Sequence, residues 1–387
     1  MLFKYSLKNE LKKKNQDYLI PKMLLKKTNK ILFATHLAIG DFTYMQNYFK
    51  AFHEKYPHIK IDLWIDTGRG KNFLRRFISV KLGILYHWLR STNYFNKIYT
   101  DTSTFWKLHY FIKNAKKENY SLIVSLATIN SHRYAKYLRR ISKNAYIVGI
   151  CHTIKWFNFI KKIRFKKFDQ FLFWKNLHDI NEPHISNTYA NYFGNIFGIN
   201  VDKKNRFPFL IFPKKWSYYG KLKLLHWNIY NKENQIQKTI FINVFAKNQK
   251  RCWSLSKVFE LIKFLKETDK FYNSNYIINV LPGEYEKYKK EFHSPKQKIF
   301  IFSADVNFFQ LPAIISCCDL IVSVETSIIH LAAALKIPII ALMRQKNPEW
   351  IPLASNAKVI FTQNRRDWID KILVKDVVNE IKSFYRF

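Results

Sequence analysis

Glycine is scarce in this chain, at 9 of 387 residues, and no GxGxxG turn occurs. That excludes collagen-like and linker-rich classes, and it removes the turn that dehydrogenases use to admit a pyrophosphate. The 4 cysteines, Cys151, Cys252, Cys317 and Cys318, form no CxxC pair. Neither a disulfide framework nor a zinc site is therefore expected, and a reducing cytosol fits. No run of about 18 apolar residues is present, so no membrane span is expected. The lysine-punctuated stretch 1–30 shows no signal peptide. HExxH, GxSxG, P-loop and DxD patterns are missing as well, and with them the usual signs of a metal or a phosphate-binding glycine loop. Metal-free chemistry without a cofactor is expected. Acidic residues are few: 27 Asp and Glu stand against 66 Lys and Arg, giving 66 − 27 = +39. A field of that sign favours polyanions, whether nucleic acid, anionic membrane or acidic glycan. Heavy use of Lys, Asn, Ile, Phe and Tyr is also what AT-rich coding produces, so composition alone leaves the role of the charge open.

What is present is an alternation of apolar runs and amphipathic stretches. Ile31–Ala34 reads as a buried strand, 42–56 as a helix closed by Pro57, and Lys60–Ile65 as a second strand. Further strands are expected at 121–126 and 145–150. After an aperiodic region with Pro208 and Pro213, strands are expected at 238–245, 276–281, 298–302, 320–323 and 337–343. Helices 255–267 and 327–335 lie between them, and a closing helix spans 368–384. Strand, helix, strand in this order implies parallel pairing through right-handed crossovers, hence an α/β fold with two Rossmann-like, doubly wound domains. The expected division is a basic extension 1–29, a domain 30–212, a linker 213–237 and a second domain 238–387.

The chemistry is expected to concentrate in residues 318–353, CDLIVSVETSIIHLAAALKIPIIALMRQKNPEWIPL. A strand ending at Ser323 turns through Glu325 and Thr326 into a helix. Ligands sit outside the carboxyl ends of parallel strands, and free N–H groups at a helix start attract phosphate. Thr326 and Ser327 add hydroxyls, with His330 one turn further on the same face as Thr326.

This segment resembles the bacterial heptosyltransferases, glycosyltransferase family 9, whose members adopt the two-domain GT-B fold with lobes facing across a cleft. The resemblance implies donor-diphosphate contacts at Thr326, Ser327 and His330. Glu325, a further donor contact on this resemblance, stands where the family usually has Asp, so its longer side chain implies an altered sugar-binding geometry or a different donor sugar; Ser327 stands where Gly is common. A second match, KILFATHLAIGDFTYMQNYFKAFHEKYPHIKIDLWID at 30–66, resembles the family's opening strand, turn and helix. Carried over, Asp41 is the general base and Gly40 lets the acceptor approach; without the resemblance, Asp41 would read as a helix cap. A weaker match at 243–253 implies that Arg251, assisted by Lys247 or Lys250, neutralises the departing diphosphate. An ordinary solvated basic loop is the alternative. Glu284 or Glu286 would bind the nucleotide ribose, or else cap the helix that follows.

On the acceptor side, Arg69, Lys71, Arg75 and Arg76 follow the second strand in a stretch without acids, suited to carboxylates or phosphates of an inner-core lipopolysaccharide. The basic, aromatic-interleaved segment Lys155–Lys167 has the pattern of an interfacial anchor on the anionic inner membrane, or of a packed helix with solvated lysines. The expected activity is a cytoplasmic inverting glycosyltransferase using a nucleotide sugar, ADP-heptose, and an acidic glycolipid acceptor. A different donor or a protein acceptor is the alternative within enzymes, and a lapsed, scaffold-like relative is another. A nucleic-acid binder is disfavoured, because the basic residues spread over two α/β domains and no known RNA or DNA module occurs.

Overall fold

The computed structural model describes residues 18–66, 85–151, 163–178, 181–229, 238–281 and 283–385. The chain divides into two compact units, Met1–Ala38 with Met45–Arg206, and Ile39–Tyr44 with Phe207–Phe387. Each is built on one six-stranded sheet.

In the first unit the strands are β1 (Lys30–Thr35), β2 (Lys60–Ile65), β3 (Phe95–Tyr99), β4 (Leu122–Ser125), β5 (Tyr146–Cys151) and β6 (Gln170–Phe173), in the order β3-β2-β1-β4-β5-β6. The second holds β7 (Thr239–Asn243), β8 (Asn275–Asn279), β9 (Ile299–Phe302), β10 (Leu320–Val324), β11 (Ile339–Met343) and β12 (Ala357–Phe361), in the order β12-β11-β10-β7-β8-β9. Every pairing is parallel. Read from its other edge, the second sheet repeats the order of the first. Both are doubly wound, and the order reverses between β1 and β4 and between β7 and β10. In such sheets ligands settle outside the carboxyl ends at that reversal.

The sequence forms these layers for simple reasons. The central strands are continuous apolar runs, and β7, β8, β10 and β11 are buried along their whole length. Only strands covered on both faces tolerate that. The covering helices are amphipathic: helix Leu255–Lys266 buries Val258, Leu261, Ile262 and Leu265, and helix Val374–Phe384 buries Val374, Val377, Val378 and Ile381. Both stripes follow the i, i+3, i+4, i+7 spacing. Each such side chain contributes about 1.5–3 kcal/mol on leaving water.

Several expectations are corrected. Strands β3, β6 and β12 lie at sheet edges and are only partly buried, so their sequences lack a long apolar run. Residues 213–237 open with helix Lys214–His226, which packs on helix Gln310–Ile315. The boundary falls at Arg206/Phe207, so this helix belongs to the second unit rather than to a linker. Within the expected extension, residues 18–29 are part of the first unit: Ile20 and Leu25 are buried. The backbone N–H groups of Leu19 and Ile20 donate to the carbonyls of Asn195 and Ile196 at 2.8 and 3.1 Å. The closing segment splits into a 3-10 turn, Ile369–Lys371, and helix Val374–Phe384. No helix among the described residues is long and apolar enough to cross a membrane.

Gly220 shows why helix Lys214–His226 seats closely: a Cβ there would lie 2.4 Å from the carbonyl oxygen of Ala313. Gly220→Ala is expected to cost about 1–3 kcal/mol, as overpacking does. Gly194→Ala, whose Cβ would meet nothing nearer than 3.4 Å, should leave stability level or raise it. Urea unfolding of the two variants checks both.

Candidate active site

At the reversal of the second sheet, side-chain amides cross the carboxyl ends of adjacent strands. Asn243, the last residue of β7, is buried and donates Nδ2–H to Ser323 Oγ at 3.1 Å and to Thr326 Oγ1 at 3.2 Å. Asn279, ending β8, donates to Asn243 Oδ1 at 2.9 Å. Both N–H groups and the carbonyl of the Asn243 amide are thereby engaged, and the turn after β10 is held in one shape. Thr326 is the N-cap of helix Ser327–Ala334, in extended backbone conformation, and its Oγ1 accepts from Ile328 N. Both Thr326 and Ser327 are half-buried. A helix start of this kind presents amide donors and an effective charge of roughly +0.5 to an anion.

Glu325, directly before the cap, is buried, with a side chain only 5% exposed. Its carboxylate accepts from the Arg344 guanidinium at 2.9 and 3.3 Å, from Arg344 N at 3.1 Å and from Asn347 Nδ2 at 3.4 Å. Arg251 Nε stands 3.7 Å from the same carboxylate, and Arg251 NH1 donates to the Glu325 carbonyl at 3.3 Å. A buried carboxylate persists only when paired and hydrogen-bonded, and here two arginines supply both. The side chain of Arg251 is one-third exposed, so this arrangement fixes one end of a guanidinium that still reaches solvent.

Above the helix start lies the turn that carries the expected base. Ile39–Tyr44, the first turn of helix Ile39–Lys55, groups with the second unit. A Cβ on Gly40 would lie 3.3 Å from His330 Cδ2 and 3.8 Å from Trp350 Cζ3, so glycine is what lets the backbone come this close. Tyr44 Oη accepts from Leu353 N at 3.2 Å and meets His330 Nδ1 at 2.9 Å. Burial pushes the Tyr44 hydroxyl well above the ordinary tyrosine range, so it stays protonated and can donate to Nδ1. Asp41 is the third residue of this helix, half-buried, where the helix dipole favours a carboxylate.

The structure thus gathers Gly40, Asp41, Arg251, Glu325, Thr326, Ser327 and His330 on one unit. His330 is 4% exposed and packed between Tyr44 and Trp350, so it holds the Gly40 turn in place. The Glu325 carboxylate is turned to Arg344 and Arg251. Lys247 and Lys250 are exposed on the loop around the 3-10 turn Gln249–Arg251. Glu284 is half-buried at the head of helix Tyr285–Phe292, and Glu286 is exposed in its first turn. Arg69, Lys71, Arg75 and Arg76 lie outside the described residues, as does 155–162 of the expected anchor, while Phe165 of that anchor is buried in the core of the first unit. In the first unit, Asp66 follows β2 and accepts from Tyr134 Oη at 2.6 Å and Thr102 Oγ1 at 3.2 Å.

Sequence reasoning missed Asn243, Asn279, Tyr44, Arg344 and Trp350 as parts of the site. Asn243 and Asn279 each end an apolar strand on the same sheet edge, a signal open to sequence once strand order is known. The Arg344–Glu325 pair spans two β-α loops and carries no local signature.

Residues 221–371 match the sequence model of glycosyltransferase family 9 (heptosyltransferase). No curated protein sequence matches the chain. Among solved structures, a glycosyltransferase family 9 protein from Veillonella parvula superposes with a TM-score of 0.69 at 12% identity, covering 92% of this chain and 96% of that one. Escherichia coli ADP-heptose lipopolysaccharide heptosyltransferase II gives 0.62 at 16%, over 92% and 98%. An Escherichia coli heptosyltransferase solved with ADP gives 0.57 at 13%, over 92% and 99%. These likenesses establish the α/β fold of GT-B type, and the resemblance drawn from residues 318–353 is borne out.

Arg344→Ala would strand a buried carboxylate and is expected to cost about 3–5 kcal/mol in urea unfolding. The double variant Arg344→Met/Glu325→Leu, which removes both charges, should recover most of that loss.

Proposed function

We propose that this chain, a glycosyltransferase of the family 9 (heptosyltransferase) kind, is an inverting enzyme. In this reading it moves a heptose from ADP-heptose to an acidic inner-core acceptor of lipopolysaccharide. The observation that carries it is the helix start at the β7/β10 reversal, flanked by an arginine that a buried glutamate holds in place. That is a site for a diphosphate. Two of the structural neighbours are described as acting on ADP-heptose or holding ADP, which supports the choice of donor.

Asp41 takes the proton of an acceptor hydroxyl as the oxygen attacks the anomeric carbon. The bond from that carbon to the diphosphate oxygen breaks on the opposite face, and the configuration inverts. Negative charge grows on the departing ADP. The Ser327 helix start and Arg251 receive it, so no cation is needed in this scheme. Glu325 acts through Arg251, fixing the angle of its guanidinium. His330 and Tyr44 act through the backbone, seating the turn that bears Gly40 and Asp41. The exposed Lys247 and Lys250 add positive potential beside the leaving group, and Glu284, the more buried of its pair, is the better placed for the ribose. Arg69, Lys71, Arg75 and Arg76 are assigned to the acceptor's anionic groups, and the reaction is placed in the cytoplasm. Because the Glu325 carboxylate is paired with Arg344, that residue does not by itself call for a different donor sugar.

Asp41→Asn should lower turnover about 10²–10⁴-fold, the usual worth of a placed base, with donor affinity nearly unchanged. Turnover equal to wild type would discard the role. A thermal-shift panel of ADP-, GDP- and UDP-sugars tests the donor, since a ligand bound only by the folded state raises the melting point. The largest shift is expected with ADP-heptose.

A further inference from the structure

We propose that the face formed by helices Phe105–Lys116 and Ser131–Ile141 of the first unit docks the protein on an anionic lipid bilayer. Helix Phe105–Lys116 buries Phe111, Ile112 and Ala115 against its sheet. Its other side carries three aromatic rings far out of the core: Phe105 is 68%, Trp106 79% and Tyr110 69% exposed. Trp106, Tyr110 and Lys113 follow one another at i, i+4 and i+7, so they line a single outward stripe. The rings occupy its first turns, and exposed Lys113, Lys116 and Lys117 its end.

The neighbouring helix extends the same character. The two helices pack together, with Arg140 NH2 3.5 Å from His109 Nδ1, and Arg133, Lys136, Arg140 and Lys143 are exposed. From Thr102 to Ala145 the one acidic residue is Glu118. It is neutralised by Lys30 and Lys97, each at 2.5 Å. At the border, Asp101 pairs with Lys107 at 2.8 Å. This surface therefore presents unbalanced positive charge around a cluster of Phe, Trp and Tyr.

That separation suits a bilayer. Aromatic rings settle at the depth of the headgroups, while lysines and arginines meet anionic lipid above them. The aromatic first turns follow directly on the carboxyl end of β3, the edge of a doubly wound sheet where ligands bind. The inference deepens the proposed activity, because a lipid-linked acceptor is met at a membrane surface. It puts the interfacial contact on 105–143 rather than on 155–167, where the described ring Phe165 is buried in the core.

Sedimentation of the full chain with phosphatidylglycerol/phosphatidylcholine vesicles tests it. Binding is expected to fall at least about tenfold on pure phosphatidylcholine, and equally when salt rises from 0.1 M to 1 M, where the screening length shrinks from about 10 Å to about 3 Å. Phe105→Ser/Trp106→Ser/Tyr110→Ser should lose binding to a similar degree with an unchanged melting point, as should Lys107→Gln/Lys113→Gln/Lys116→Gln. Wild-type binding by both variants overturns the proposal. So does equal binding to neutral vesicles, or loss produced only by Leu222→Ser/Leu225→Ser, which alters the exposed apolar residues of helix Lys214–His226. Binding of generic RNA in place of vesicles overturns it as well. Transfer to a water-soluble acceptor saccharide should survive in the aromatic variant; its absence from the wild type would count against the proposed activity instead.

Discussion

A carboxylate buried at the carboxyl edge of a parallel sheet is the constraint on which this site turns. Glu325 sits at the end of β10, where water is largely excluded and an unpaired charge would cost several kcal/mol. Arg344, from the loop after β11, satisfies it most directly. Arg251, from the loop after β7, is drawn to the same group and to its backbone carbonyl. Three β-α loops are thereby tied to one side chain. The electrostatic result is that a single negative charge holds two positive ones, leaving the cluster net positive beside a helix start.

The other features follow from keeping that corner rigid. The Asn279–Asn243–Ser323/Thr326 chain of amides and hydroxyls fixes the turn into the helix, and Thr326 caps one of its first amides, Ile328 N–H. One turn further along the same helix, His330 is locked by Tyr44 and Trp350, and Tyr44 in turn receives Leu353 N–H. Asp41 is therefore carried on a turn whose backbone position is set by aromatic packing rather than by loop flexibility. For the proposed role as general base such support matters, because a displacement of about 1 Å can cost two orders of magnitude in rate.

Much of the scaffold was legible in the sequence because buried parallel strands are unbroken apolar runs. Ile31–Ala34, Lys60–Ile65 and Leu320–Ser323 all fall inside observed strands. Edge strands such as Phe95–Tyr99 escaped because they need cover only part of one face and mix Asn and Lys into the run. Helix Lys214–His226 was hidden by the prolines before it and its scattered lysines, although Gly220 and Leu224 supply the small, apolar contact that docks it. At the site, residue types in local sequence order pointed to Thr326, Ser327 and Asp41. Pairings between distant loops, Glu325 with Arg344 above all, depend on strand order and could not be read from spacing. Their effect is to pair the Glu325 carboxylate with two arginines, while His330 is packed against Tyr44 and Trp350.

The central claim is that the corner grips a diphosphate. Calorimetric titration of ADP and AMP into the intact chain and into Arg251→Ala tests it most directly. ADP should bind the intact chain about tenfold to a hundredfold more tightly than AMP, the worth of charge-assisted hydrogen bonds to the second phosphate. Most of that margin should vanish in Arg251→Ala. Equal affinity for the two nucleotides, or an undiminished margin in the variant, would contradict the account.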